Sequence, residues 1–260
     1  MTKNLELKDF MNGKVDAASI KNKYLKDVTK KSKNTRITFL TPNVVGSKSQ
    51  ARRVQPPLGI ACLAGVLDEY GFNKLQIIDS SAEGYNEIRD LEGDFIEFGL
   101  KDEDVIKKIN NFQPHIVGIS ALFSSQFGCA ERIGKEIKKK FPNTILVYGG
   151  IHASKEYDNI LKENRYIDYI LTGEADYTFT VFCDLFEKKE NLKDCPSLAY
   201  FDEEEKKTKK NYEPPGLDMN ELPLPAWHLM DMELYWKIGM PHNPFMKSKE
   251  FMTIMTERGC

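Results

Sequence analysis

Long apolar runs, histidine and any paired spacing of cysteine are all scarce in this 260-residue chain. No apolar stretch approaches the roughly 20 residues that a membrane-crossing helix needs. The lysine-rich, apolar-poor start is not a secretory signal. Together these absences predict a chain without a membrane span, working in the cytoplasm. A formal charge of −2 with 41% hydrophobic residues gives no electrostatic reason to expect nucleic acid as a partner. The five cysteines, Cys62, Cys129, Cys183, Cys195 and Cys260, show no disulfide or zinc-site spacing, so the first four read as reduced thiols. Walker A loops, G-x-G-x-x-G after a strand, G-x-S-x-G elbows and His-Glu-x-x-His pairs are missing. That argues against nucleotide binding in either glycine-rich mode and against the common hydrolase and zinc-protease chemistries.

What is present is a rhythm of short β-rich apolar runs and amphipathic stretches. Strands are predicted at Arg36–Thr41, Leu75–Asp79, His115–Ser120, Ile145–Tyr148 and Tyr166–Leu171. Helices are predicted over 58–70, 102–111, 129–140, 156–162 and 177–188. The first opens after Pro56 and Pro57 and closes at Gly71, and Asp102 is the expected cap of the second. Five strands alternating with helices over residues 35–190 predict an α/β fold with a doubly wound five-stranded parallel sheet. The strands are apolar nearly throughout, as strands covered on both faces are. Residues 85–101 lack a clean period and read as a loop or short irregular helix.

Outside that unit, residues 1–34 read as a polar, solvated N-terminal extension ending in the basic run Lys30–Lys33. Residues 191–250 read as a hairpin around the charged stretch Asp202–Lys210, then a proline-rich linker and a short helix within Leu229–Ile238. Phe251–Met255 reads as a strand leading to Arg258, Gly259 and Cys260, and a strand stopping there looks cut rather than finished.

Ligands of open α/β sheets bind at the carboxyl ends of the strands. Here those ends carry Asn43, Asp79, Ser120, the pair Gly149 and Gly150 with His152, and Gly173, Glu174 and Asp176. Glycine lets a loop backbone press close to a ligand because it has no Cβ. The expected site is a broad pocket floored by strand ends and rich in backbone donors.

Pro56-Pro-Leu-Gly-Ile-Ala61, Ile78-Asp79 with Ala82-Glu-Gly84, Gly149-Gly-Ile-His-Ala-Ser154 and Gly173-Glu-Ala-Asp176 resemble the amino-terminal half of cobalamin (B12)-dependent radical SAM enzymes. Leu222-Pro-Leu-Pro-Ala-Trp227 and Thr253-Ile-Met-Thr-Glu-Arg-Gly-Cys260 fit the same order, so the resemblance covers roughly residues 35–260. It implies a Rossmann-like cobalamin-binding domain followed by the first strand of a radical SAM barrel over residues 251–260. It also implies a 4Fe-4S cluster, S-adenosylmethionine, and a reductant of flavodoxin or ferredoxin type for the full-length enzyme. The substrate is then a small molecule bound mainly by the missing barrel. In most of the family a methyl group passes from cobalamin to a substrate carbon radical; other members cyclise or contract rings.

Carried onto this chain, the resemblance puts Pro57, Leu58 and Gly59 near the corrin edge, and Ser120 and Ala121 along the slot for the nucleotide tail. Gly149, Gly150 and His152 contact tail or corrin, and Gly173 and Glu174 complete the wall. Cys260 is the first cluster ligand; one thiolate cannot hold a 4Fe-4S cluster, so this stretch alone is expected to be inactive. Gln113-Pro-His-Ile-Val-Gly118 approaches the cobalt-ligating pattern Asp-x-His-x-x-Gly. Glutamine stands where the orienting aspartate belongs, however, and His115 lies at the wrong edge of the sheet. The resemblance therefore implies base-off cobalamin with no histidine on cobalt and its lower face covered by the Asn43–Val54 loop. The alternatives are a stand-alone cobalamin-binding or sensing module, a sulfur-inserting relative without cobalamin, and a flavodoxin-like or response-regulator domain.

Overall fold

Apolar runs covered on both sides form the centre of the molecule. The computed structural model describes residue 21 and residues 25–214, 219–242 and 246–258. Among these, β1 (Ile37–Thr41) and β2 (Val44–Ser47) precede α1 (Leu58–Glu69). Next come β3 (Leu75–Asp79), the one-turn α2 (Ser80–Glu83), β4 (Ile88–Asp90) and β5 (Phe95–Phe98). Helix and strand then alternate through α3 (Asp102–Phe112), β6 (Ile116–Ser120), α4 (Ser124–Lys140) and β7 (Ile145–Gly149). The alternation ends with α5 (Ile151–Glu163), β8 (Tyr169–Leu171) and α6 (Asp176–Lys188). A hairpin of β9 (Leu198–Asp202) and β10 (Lys207–Lys210) and the short α7 (Met232–Ile238) follow.

The five expected strands lie parallel in the order β3-β1-β6-β7-β8. The chain winds outward in both directions from β1, so the strand order reverses between β1 and β6. Such a switch point opens a crevice at the carboxyl edge. Because side chains alternate along a strand, each feeds two cores. Phe39, Ile116 and Val147 join Ile60, Leu67, Phe179 and Phe182 of α1 and α6 on one face. Leu40, Val117, Leu146 and Tyr148 join Ile109, Ile133 and Ile160 of α3, α4 and α5 on the other. Each such side chain contributes about 1.5–3 kcal/mol on burial, so the sheet is a firm base for the loops at its edge.

The structure corrects several expectations. The hairpin is no separate appendage: β9 pairs antiparallel with β8, extending the sheet to seven strands. Residues 85–101 are not a loop or helix. They hold β4 and β5, which join β2 in a second, antiparallel sheet. These strands are short, and a charge sits inside: Glu97 is buried against Arg132 (2.6 and 3.0 Å), Arg89 (3.0 Å) and Asn43 (2.6 Å). The Asn43–Val54 segment therefore begins as a strand and only then becomes irregular.

Helix α4 starts at Ser124 and α5 at Ile151, each earlier than the sequence suggests. Asp102 is the first residue of α3, after Lys101 at the cap. Residues 25–34 are not a solvated arm. Leu25 and Val28 enter the α1/α6 core, and buried Lys33 donates to the Tyr70 carbonyl at 2.8 Å. The proline-rich linker is extended but docked, with buried Ala226 donating its N–H to the Ala61 carbonyl at 2.8 Å. Phe251–Met255 forms no strand, because a strand needs a neighbour and none lies beside it among the described residues. Cys260, like residues 1–20, lies outside the described residues.

Candidate functional site at the carboxyl edge

Adjacent strands carry the predicted site residues to one edge. Ser120 faces Gly149 in the β6–β7 register, and the Ala121 N–H donates to the Gly149 carbonyl at 2.7 Å. Gly150 caps α5 with φ +102° and ψ 170°, a region essentially closed to other residues. A Cβ there would lie 2.7 Å from the Ala121 carbonyl oxygen, so this glycine is fixed by the protein's own geometry. Gly149 is different. A Cβ added to it meets nothing nearer than the Leu171 carbonyl at 3.8 Å. Gly59, in the first turn of α1 after Pro57 and Leu58, has nothing within 4 Å. Packing demands glycine at neither position, yet glycine in a helix or strand costs about 0.5–1 kcal/mol against alanine. Both leave bare backbone open for close approach by a ligand.

The neighbouring surface is apolar. Leu122 and Phe123, after β6, and Ile151, the first residue of α5, are 43%, 58% and 68% exposed. His152 is not in a loop: it lies in the first turn of α5, its Nδ1 is 3.1 Å from Ser124 Oγ, and its ring meets the edge of Phe127 at 4.9 Å. Gly173 turns with φ +70° and donates its N–H to Ser154 Oγ at 3.1 Å. The Glu213 carboxylate covers that turn, accepting from Thr172 Oγ1 at 2.8 Å and pairing with Lys210 at 2.8 Å. Glu174 is half-buried beside it. Bare backbone next to an apolar rim leaves this edge open to close approach by a wide ligand.

Two polar anchors bound this edge. Buried Asp79 accepts from Thr41 Oγ1 (2.7 Å), Ser81 Oγ (2.8 Å) and the Tyr235 hydroxyl (2.8 Å). Burial, then the Asp79 charge, pushes the Tyr235 phenol above its ordinary pKa, so it stays a donor. At the start of α6, Asp176 holds Arg258 through a bidentate pair at 2.6 and 3.1 Å. Burial opposes the Arg258 charge, but the hydrogen bonds and charge of Asp176 outweigh it and raise its pKa. Cys62 of α1 is close enough to feel both charges, though burial is the main cause of its raised pKa.

His115 sits at the opposite edge, before β6, where its Nδ1 accepts from the Arg36 N–H at 3.0 Å. Among the described residues no group of three or more His, Cys, Asp or Glu side chains is arranged to hold a metal. The sequence did not single out the exposed apolar trio, Ser124, Ser154 or the partners of Asp79 and Asp176. For the ion pair the only signal was that both ends fall in motifs.

Comparison with known proteins bears on the family and the fold. A family model described as a B12 binding domain matches residues 48–182. The chain is 27% identical to a cytidylyl-2-hydroxyethylphosphonate methyltransferase of Streptomyces wedmorensis, over 86% of this chain and 46% of that protein. It is also 27% identical to an anaerobic magnesium-protoporphyrin IX monomethyl ester cyclase of Rubrivivax gelatinosus, over 86% of this chain and 37% of that protein. It therefore spans less than half the length of either relative. The fold superposes on the cobalamin-dependent S-adenosylmethionine radical enzyme OxsB, solved with aqua-cobalamin and S-adenosylmethionine bound. The TM-score is 0.61 and the identity 18%, over 84% of this chain and 27% of that one.

Proposed function

This chain belongs to the B12-binding domain family, and from that premise we propose that it is the cobalamin-binding portion of a B12-dependent radical SAM methyltransferase acting on an unactivated carbon. The observation that carries the reading is the open backbone at Gly149 and Gly59 beside the exposed rim of Leu122, Phe123 and Ile151. Cobalamin bound there supplies a transferable methyl group. The chain's own residues hold and shield it. Gly149 and Gly150 offer backbone contact, Ser120 flanks the tail with Ala121 fully buried behind it, and His152, Gly173 and Glu174 wall one side. Pro57, Leu58 and Gly59 approach from α1. The apolar rim excludes water from the reacting face.

The reading includes base-off cobalamin without a histidine on cobalt, and the placement of His115 and His152 supports the absence of a histidine ligand. His115 is at the far edge with Nδ1 engaged, and His152 is turned toward Ser124. In this reading Cys260 supplies the first thiolate of a 4Fe-4S cluster that works with S-adenosylmethionine and an external flavodoxin- or ferredoxin-type reductant. The small-molecule substrate binds mainly outside this chain.

The similarity to the Rubrivivax cyclase favours a second reading, ring formation in place of methylation. Product analysis of the full-length enzyme separates the two. Methylation yields S-adenosylhomocysteine alongside 5′-deoxyadenosine, because one S-adenosylmethionine gives up its methyl and a second is cleaved reductively. Ring formation yields 5′-deoxyadenosine without S-adenosylhomocysteine, and that result would overturn the methyltransferase assignment.

A further inference from the structure

Two stretches that are 82 residues apart in sequence meet at a single ion pair. Asp176 closes the turn after β8, next to Gly173 and Glu174. Arg258 lies two residues before Cys260. The pair is bidentate, and the two side chains are 6% and 10% exposed. A fork of two parallel N–H···O bonds sets orientation as well as distance, which a single contact between point charges does not. The chain leading to it is otherwise lightly held. The Trp236 indole N–H donates to the Phe251 carbonyl at 2.8 Å, but beyond that Met252, Ile254 and Met255 are 53%, 73% and 44% exposed. The arm thus crosses open surface between its anchor on α7 and its anchor on α6.

We propose that the Arg258–Asp176 pair is a positioning latch that fixes the chain carrying Cys260 to the carboxyl edge, and so sets the separation between the corrinoid and the iron–sulfur cluster. The separation of the two cofactors rests on the function proposed above; the latch itself does not. Arg258 and Asp176, 10% and 6% exposed, engage the polar atoms of the fork with each other. They act by holding the backbone at position 258, two residues ahead of Cys260 in sequence. Both carboxylate oxygens and two guanidinium nitrogens take part, so lysine at position 258 keeps the charge but loses the fork.

The test uses the 260-residue protein with a nitroxide on Cys260, since Cys62, Cys129, Cys183 and Cys195 are buried. The protein is loaded with hydroxocobalamin and reduced, and pulsed dipolar EPR reads the distance from cob(II)alamin to the nitroxide. The latch predicts a narrow distribution in the parent protein, a broad one in Arg258→Ala and Asp176→Asn, and an intermediate one in Arg258→Lys. Cobalamin affinity of Arg258→Ala is expected to be unchanged. A distribution in Arg258→Ala as narrow as in the parent overturns the latch. Failure of the parent to bind cobalamin overturns the function proposed above instead. In that case a second nitroxide at Lys140→Cys reads the latch alone, with the same broadening expected and the same narrowness refuting it.

Discussion

Tyr235 and Asp79, 156 residues apart in sequence, are joined by a buried 2.8 Å hydrogen bond at the carboxyl end of β3. Through it the short helix that follows the linker is pinned to the edge where the ligand site opens. Asp79 also gathers Thr41 and Ser81, so one carboxylate ties β1, β3, α2 and α7 together. Tyr235→Phe keeps the ring and removes only the donor, leaving one Asp79 oxygen short of a partner in the interior. A loss of about 1–3 kcal/mol is expected in urea denaturation, with earlier proteolysis in residues 232–258. Unchanged stability would mean that water replaces the hydroxyl.

The adjacent glycines should respond oppositely to the same change. Gly150→Ala places a side chain at φ +102° and 2.7 Å from a carbonyl oxygen, and should cost about 1–3 kcal/mol of folding stability. Gly149→Ala meets nothing closer than 3.8 Å and should fold normally, within about 1 kcal/mol of the parent. Its methyl group instead occupies the open surface, so hydroxocobalamin affinity is expected to fall. Thermal melts and absorbance titrations on both variants check the contrast.

Glu97 makes the fold sensitive to acid. Burial alone would raise its pKa, but hydrogen bonds from Arg132 and Asn43 and the nearby arginine charges outweigh burial and hold it at about 2. An unfolded glutamate titrates near 4.3. The depressed folded pKa means that this stabilisation is complete above about pH 4.5. It is lost progressively as pH falls toward 2, and amounts to on the order of 2–3 kcal/mol. Urea midpoints measured between pH 6 and 3 should therefore fall less steeply in Glu97→Gln than in the parent, although the variant is weaker at neutral pH. Parallel slopes would contradict the assignment.

How much of this was legible in the sequence depended on how local the cause was. The five parallel strands showed because β-branched runs such as Ile116–Ser120 and Ile145–Gly149 carry their own signal. Residues Gly149 and Gly150 marked the edge for the same reason. Helix starts were read late at Ser124 and Ile151, where polar or small residues fill the first turn. The second sheet was hidden because its strands are three or four residues long, with Glu97 placed inward by partners on α4 and β4. Asp79 and Asp176 stood out as strand-end residues, but the contacts they make left no local pattern, since their partners Tyr235 and Arg258 come from far along the chain. The apolar rim was invisible as well: Leu122, Phe123 and Ile151 look like core residues until the fold leaves them uncovered.

The most direct measurement is titration of the purified 260-residue protein with hydroxocobalamin, followed by reduction and EPR of the cob(II)alamin form. The account predicts saturable binding and a spectrum without nitrogen superhyperfine splitting, as for base-off cobalt with no histidine ligand. Nitrogen splitting would contradict the assigned pocket, because a histidine or the cofactor's own base would then sit on cobalt. Absence of binding would contradict the cobalamin site altogether.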